Sequence, residues 1–127
     1  MNKVVLDASA LLAMLFGEPG ADLVASRGSG AVLSAVSYSE TLVKLVDRGI
    51  VLVDAERLVG RLSLHIAAYD AELAAVSASF REHTRRLGLS FADRACLALG
   101  LMTGFPVLTA DRRWADVPGG VTVELIR

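Results

Sequence analysis

The sequence predicts an α/β fold: one domain over residues 1–127, with a central parallel sheet flanked by helices. Three observations predict it. Short apolar runs alternate with helical patterns from one end of the chain to the other, which is how a parallel sheet with covering helices reads. Glycines and prolines punctuate the segments, with Gly17 and Pro19 early, Gly49 and Gly88 after helical stretches, and Gly104 with Pro106 ahead of a late apolar run. The length of 127 residues and a 54% hydrophobic composition suit one core with a slight apolar excess for a partner surface.

Taken in order, the run VVL makes a strand over Val4 to Asp7, and the apolar spacing after it makes a helix over Ala8 to Phe16. Gly17 and Pro19 separate that helix from a second, Gly20 to Ser26. A strand over Ala31 to Ser34 leads into a helix over Tyr38 to Arg48, closed by Gly49. A helix over Ala55 to Leu64 precedes a weaker strand candidate at His65 to Ala67, and a long helix runs from Ala71 to Leu87, where Gly88 ends it. The nearly all-apolar stretch from Phe91 to Thr103 reads as a buried helix. Gly104 and Pro106 stop it, and strands follow at Val107 to Thr109 and Val121 to Leu125. No repeat, low-complexity segment or linker interrupts the pattern.

Charge and cysteine usage narrow the function classes. Thirteen Lys and Arg against fourteen Asp and Glu give a net charge of -1, so attraction to nucleic acid requires a local basic patch. The single cysteine, Cys96, builds neither a disulfide framework nor a cysteine metal site, which fits a reducing cytoplasm. Asp7 interrupts the apolar start, and no run reaches the roughly 18 residues of a membrane span. A mature, soluble protein is expected.

Four carboxylates stand where strands give way to helices or where helices begin: Asp7, Glu40, Asp93 and Asp111. Each also has a structural explanation. Asp7 suits an N-cap, Glu40 and Asp93 each close a capping box (Ser37 to Glu40, Ser90 to Asp93), and Asp111 suits a turn neutralised by Arg112 or Arg113. Asp93 is the hardest to explain as structure alone, because the helix it opens is apolar nearly all round and offers it no counter-charge. In consecutive βα units the ends of strands and the starts of the following helices share one edge of the sheet, so all four acids converge. Like charges so placed destabilise a fold unless a cation joins them, and an oxygen-only donor set points to Mg²⁺ or Mn²⁺. That is the outline of metal-assisted phosphodiester hydrolysis.

With these residues in view, the chain resembles the PIN-domain family, and within it the VapC-type toxins, along essentially its whole length. The matching segments are VVLDASALLAMLFGEPGA, SAVSYSETLVKL, GLSFADRACLALG and PVLTADRRWADV. The resemblance implies a five-stranded parallel sheet or nearly so and a ribonuclease in which Asp7, Glu40, Asp93 and Asp111 hold the metal and organise the attacking water. Metal binding is expected from Asp7, Asp93 and Asp111, with Ser9 and Thr109 as hydroxyls beside the site. It further implies an RNA substrate, a homodimer and a cognate VapB-type antitoxin that lays a helix and an arginine-bearing tail across an apolar groove. Leu11, Leu12, Leu15 and Phe16 are the place the sequence offers for that helix, if they are not core. Ser37 departs from the asparagine of many relatives, a change between two good caps.

Arg112 and Arg113 flank the last acid and are the candidate RNA-phosphate contacts, whereas Arg85 and Arg86 suit a helix end. His65 and His83 receive no role. A phosphoacceptor receiver domain, another α/β protein with acids at strand ends, is excluded because the only lysines are Lys3 and Lys44, not one after a late strand. A PIN-like fold that has lost activity and acts as an interaction module is the remaining alternative, and the complete set of four acids argues against it.

Overall fold

The computed structural model describes residues 2–127. Five strands, β1 (Val5–Leu6), β2 (Val32–Ser34), β3 (His65–Ala67), β4 (Val107–Thr109) and β5 (Val123–Leu125), form one sheet in the order β3-β2-β1-β4-β5, with every pairing parallel. The expected parallel sheet is therefore complete, its weak edge candidate included. The helices are α1 (Ala8–Phe16), α2 (Ala21–Arg27), α3 (Ala35–Asp47), α4 (Leu52–Gly60), α5 (Ala71–Ser79), α6 (Arg81–Thr84) and α7 (Phe91–Thr103), with 3-10 turns at Arg85–Leu87 and Arg112–Asp116.

Alternation along the strands divides the core into two layers. Val4, Leu6, Leu33 and Leu108 face one side, against Ala10, Leu11 and Ala13 of α1, Val24 of α2, Leu45 of α3 and Val59 of α4. Val5, Val32 and Val107 face the other, against Phe80, Trp114 and Cys96, Leu97 and Leu99 of α7. The short strands are buried on both faces, which is why they read as continuous apolar runs. Only β3 is exposed, at the sheet's edge, and its pattern is correspondingly weak. On α7, Gly100 lets the helix lie close on β4: a Cβ there would stand 2.4 Å from a methyl of Val107.

Three helices depart from the sequence expectation. The long helix over Ala71 to Leu87 breaks at Phe80, whose side chain is buried, and the Ser79 and Thr84 hydroxyls bond to the carbonyls of Val76 and Phe80, competing with the helical ladder. Helix α4 begins at Leu52 instead of Ala55, which puts Asp54 in its first turn, where a carboxylate favours the helix dipole. Helix α3 begins at Ala35, three residues earlier than expected. Its N-cap is Ser34, whose Oγ accepts from the Val36 N–H at 3.2 Å, so Ser37 and Glu40 form no capping box. Val46 on this helix is exposed, and the buried face is Ser37, Thr41 and Leu45.

Candidate active site

The strand order reverses beside β1: β2 and β3 extend the sheet on one side of it, β4 and β5 on the other. In an open α/β sheet a crevice forms past the carboxyl ends of the strands at such a point. Asp7 follows β1 and Asp111 follows β4, and between them opens a cavity of about 600 Å³. Asp7, Ser9, Glu40, Asp93 and Asp111 all line it. The convergence expected from topology is met for all four acids.

Asp7 occupies the N-cap position of α1, yet its carboxylate makes no cap bond. Instead Oδ2 accepts from the Ser9 hydroxyl at 2.6 Å and from the Thr109 hydroxyl at 2.8 Å. The supporting hydroxyls are themselves held: the Ala110 N–H donates to Ser9 Oγ and the Asp111 N–H to Thr109 Oγ1, each at 3.0 Å. Ser9 and Thr109 are thus the direct tether of Asp7 to the end of β4. Asp7 is only 4% exposed. Burial pushes its carboxyl up to about 6, the two hydroxyls draw it partly back, and the charges of Asp93 and Glu40 add to the rise.

Glu40 lies in the second turn of α3 and is half-buried, its carboxyl raised by burial and then by Asp93, with Lys44 opposing. Asp93 does two things at once. Its Oδ2 accepts from the Ser90 N–H at 2.8 Å while Ser90 Oγ accepts from the Asp93 N–H, a complete capping box, and the residue still lines the cavity. Beneath the acids lies Cys96, fully buried, its thiol pushed well up by burial, then by Asp7, Asp93 and Glu40. It stays protonated and unreactive.

Asp111 caps the 3-10 turn and is claimed by Arg113. The guanidinium donates to both carboxylate oxygens, closest at 2.6 Å, and also reaches the carbonyls of Leu87 and Gly88. Arg113 holds the Asp111 carboxyl below its usual range. Arg113, an expected RNA-phosphate contact, also ties two loops together in this structure, and Arg112 is exposed outside the cavity lining. Replacing Arg113 by Ala is expected to raise the Asp111 titration midpoint toward that of an ordinary aspartate, at a stability cost of about 1 kcal/mol or less for so exposed a pair. An NMR titration of the Asp111 carboxyl checks this, and an unchanged midpoint contradicts the pairing.

Among the described residues, no three Asp, Glu, His or Cys groups stand together as a closed cage for one ion. Of Asp7, Asp93 and Asp111, Asp111 is paired with Arg113. The donor chemistry still fits Mg²⁺ or Mn²⁺, which take oxygen ligands, keep several waters and need only one or two carboxylates. Asp7, desolvated and crowded by two like charges, is the group a cation would relieve most.

Other lining residues were not assigned to the site from sequence. Lys44 and Arg48 follow Glu40 at helical spacing, within the helix expected over Tyr38 to Arg48. Arg127 also lines the cavity, donating to the Pro19 carbonyl at 2.9 Å, and nothing in its local sequence marks it. Leu11, offered as part of a partner groove, is in the core, whereas Leu12 and Phe16 line the cavity.

The PIN domain family model matches residues 4–120. No curated protein sequence matches. Among solved structures, the DNA-bound VapBC of Salmonella typhimurium is 20% identical over 100% of both chains with a TM-score of 0.72. A toxin–antitoxin complex from Klebsiella pneumoniae is 17% identical over 98% of each chain with a TM-score of 0.76. VapC20 of Mycobacterium tuberculosis, a sarcin–ricin loop cleaving toxin, is 18% identical over 94% of this chain and 98% of its own, with a TM-score of 0.73. At these identities the solved structures establish likeness of fold.

Proposed function

The chain belongs to the PIN domain family, and on that premise we propose that it is a divalent-metal-dependent endoribonuclease, the toxin of a type II toxin–antitoxin pair. The observation that carries this reading is the single cavity at the carboxyl edge of the sheet in which Asp7, Glu40, Asp93 and Asp111 meet. Asp7 and Asp93 would hold Mg²⁺ or Mn²⁺, with Asp111 joining through water or on release from Arg113. Bound there, the cation supplies positive charge against the scissile phosphodiester and acidifies water.

The chain's own groups do the rest. Ser9 and Thr109 fix the Asp7 carboxylate before any ligand arrives, so little reorganisation remains. Glu40, its carboxyl raised, accepts a proton from the attacking water more readily than an ordinary surface glutamate would. Among the described residues no histidine lines the cavity: His65 lies on the edge strand β3 and His83 on α6. With Glu40 as the proton acceptor and a bound cation to acidify water, the attacking oxygen in this reading comes from solvent.

The antitoxin part of the reading rests on the solved neighbours, several of which are toxin–antitoxin complexes. Val43 and Val46 on α3 and Leu52 and Val53 at the start of α4 are exposed apolar residues that such a polypeptide would cover. A homodimer acting in the cytoplasm completes the proposal. Among the described residues no single helix is long and apolar enough to cross a membrane.

The products test the chemistry. An oligoribonucleotide with one 2′-O-methyl group at the cleavage site should still be cut in Mg²⁺ or Mn²⁺, leaving a 5′-phosphate and a 3′-hydroxyl by mass spectrometry. A 2′,3′-cyclic phosphate, or full protection by the methyl group with activity persisting in chelator, overturns the mechanism. No cleavage of any RNA would favour the interaction module.

A further inference from the structure

The three acids proposed for the cation are not equally free. Asp7 accepts both of its hydroxyl bonds through Oδ2, and Asp93 accepts the Ser90 N–H through Oδ2, so among the described residues each keeps Oδ1 without a donor. Asp111 keeps neither oxygen. Its Oδ1 accepts from the Arg113 backbone N–H and from Arg113 Nε, each at 3.0 Å, and its Oδ2 accepts from Nε at 3.1 Å and from Nη2 at 2.6 Å. A carboxylate offers about four lone-pair directions, and here a single residue fills them.

The guanidinium has a second hold. Its Nη1 donates to the carbonyls of Leu87 and Gly88 at 3.2 and 3.1 Å, in the loop that runs into Ser90, the N-cap of the helix that carries Asp93. Nothing encloses the arginine, since its side chain is 52% exposed and free to turn out into water. On the other side Asp111 has a donor that it does not use. Trp114 is fully buried, its indole N–H closes no hydrogen bond among the described residues, and it stands near enough to Asp111 to help lower that carboxyl. A buried donor without an acceptor is costly, so an Asp111 freed from Arg113 has a partner within reach.

We infer that Arg113 is a latch on the metal site: Asp111 gives up the guanidinium as it takes a divalent cation, and turns to the Trp114 indole. The inference rests on the reading that these acids bind a cation, and it adds how the site is kept incomplete until one arrives. A guanidinium and a cation cannot use the same lone pairs, so the two compete for Asp111, and the closed latch lowers the affinity of the site. Release also frees the carbonyls of Leu87 and Gly88, which loosens the loop ahead of α7. The opposite role, in which Arg113 steadies Asp111 for the cation, needs a carboxylate oxygen left open, and Asp111 has none.

The test is calorimetric titration of the metal-stripped full chain with Mn²⁺ alone, with circular dichroism to establish folding. Arg113→Ala should bind Mn²⁺ about fivefold more tightly, the scale of an exposed ion pair that no longer competes. Arg113→Lys, which keeps the charge and loses the fork, should also bind more tightly than the unaltered chain. Arg86→Ala, which removes an exposed charge from the neighbouring turn and none of these bonds, should change nothing. The chain has one tryptophan, so its indole N–H gives a single NMR signal: Mg²⁺ should move that signal in the unaltered chain, and metal-free Arg113→Ala should already show it displaced in the same direction. Affinity unchanged or lowered in Arg113→Ala makes Arg113 a support for Asp111 and overturns the latch. So does an Arg113→Lys chain indistinguishable from the unaltered one, which reduces the effect to charge alone. Failure of the wider reading looks different: a chain that takes no Mn²⁺ in any variant defeats the cation site and the latch together, whereas one that binds Mn²⁺ as expected but cuts no RNA defeats only the nuclease.

Discussion

Asp7→Asn and Asp93→Asn are each expected to lower RNA cleavage by roughly three orders of magnitude while the protein stays folded. The size follows from the several kcal/mol that a bound divalent cation contributes to stabilising charge in such reactions, at about 1.4 kcal/mol per factor of ten. Folding should survive in both cases for reasons visible in the structure. An asparagine at position 7 keeps an oxygen to accept from Ser9 and Thr109, and at position 93 it keeps one to accept from the Ser90 N–H. Glu40→Gln should fall less, because a residue that accepts a proton or orients water is partly replaced by solvent. Ser26→Ala, whose hydroxyl bonds only the Leu23 carbonyl on the surface of α2, is the control. Single-turnover cleavage, with circular dichroism to establish folding, makes the comparison. A folded Asp93→Asn protein that cuts RNA at the original rate removes Asp93 from the site.

How much of this was legible in the sequence differs from residue to residue, for physical reasons. The strands were plain because parallel strands buried on both faces leave continuous apolar runs, and the acids were plain because topology places strand ends and helix starts on one edge. Caps were less secure. Both Ser34 and Ser37 can begin a helix, and the choice turned on tertiary packing that buries Ser37 against the core. That choice matters for function, since it removes the capping explanation of Glu40. Asp93 shows the opposite case, where the capping box is real and the residue faces the cavity as well. The clamp of Arg113 on Leu87 and Gly88 joins loops about 25 residues apart, and no local pattern encodes such a contact.

The metal-free protein should become more stable as the pH falls from about 7 to about 5, against the usual trend for carboxylates paired with cations. The sign follows from Asp7. Its carboxyl in the folded state is pushed up to about 6 from an ordinary value of 3.8, so between those values the folded state binds more protons than the unfolded one. Stability therefore falls as the pH rises through that window. The full difference is worth about 3 kcal/mol at neutral pH, of which somewhat under half is relieved by about pH 5. For a domain of this size the relief corresponds to a rise in Tm of roughly 5 °C. Glu40 is raised as well and acts in the same direction, while Asp111, lowered by Arg113, loses its contribution only below the ordinary carboxylate range. Asp7→Asn should raise the metal-free Tm at neutral pH and largely remove the slope. Millimolar Mg²⁺ or Mn²⁺ should stabilise the unaltered chain by RT ln(1 + [L]/Kd), more at pH 7 than at pH 5, where protons compete for the same oxygens. Thermal melts in chelator and in metal at both pH values decide the matter: a metal-free Tm that is flat or falling toward pH 5, or a metal shift of the same size in Asp7→Asn, would show that the clustered acids do not govern the site.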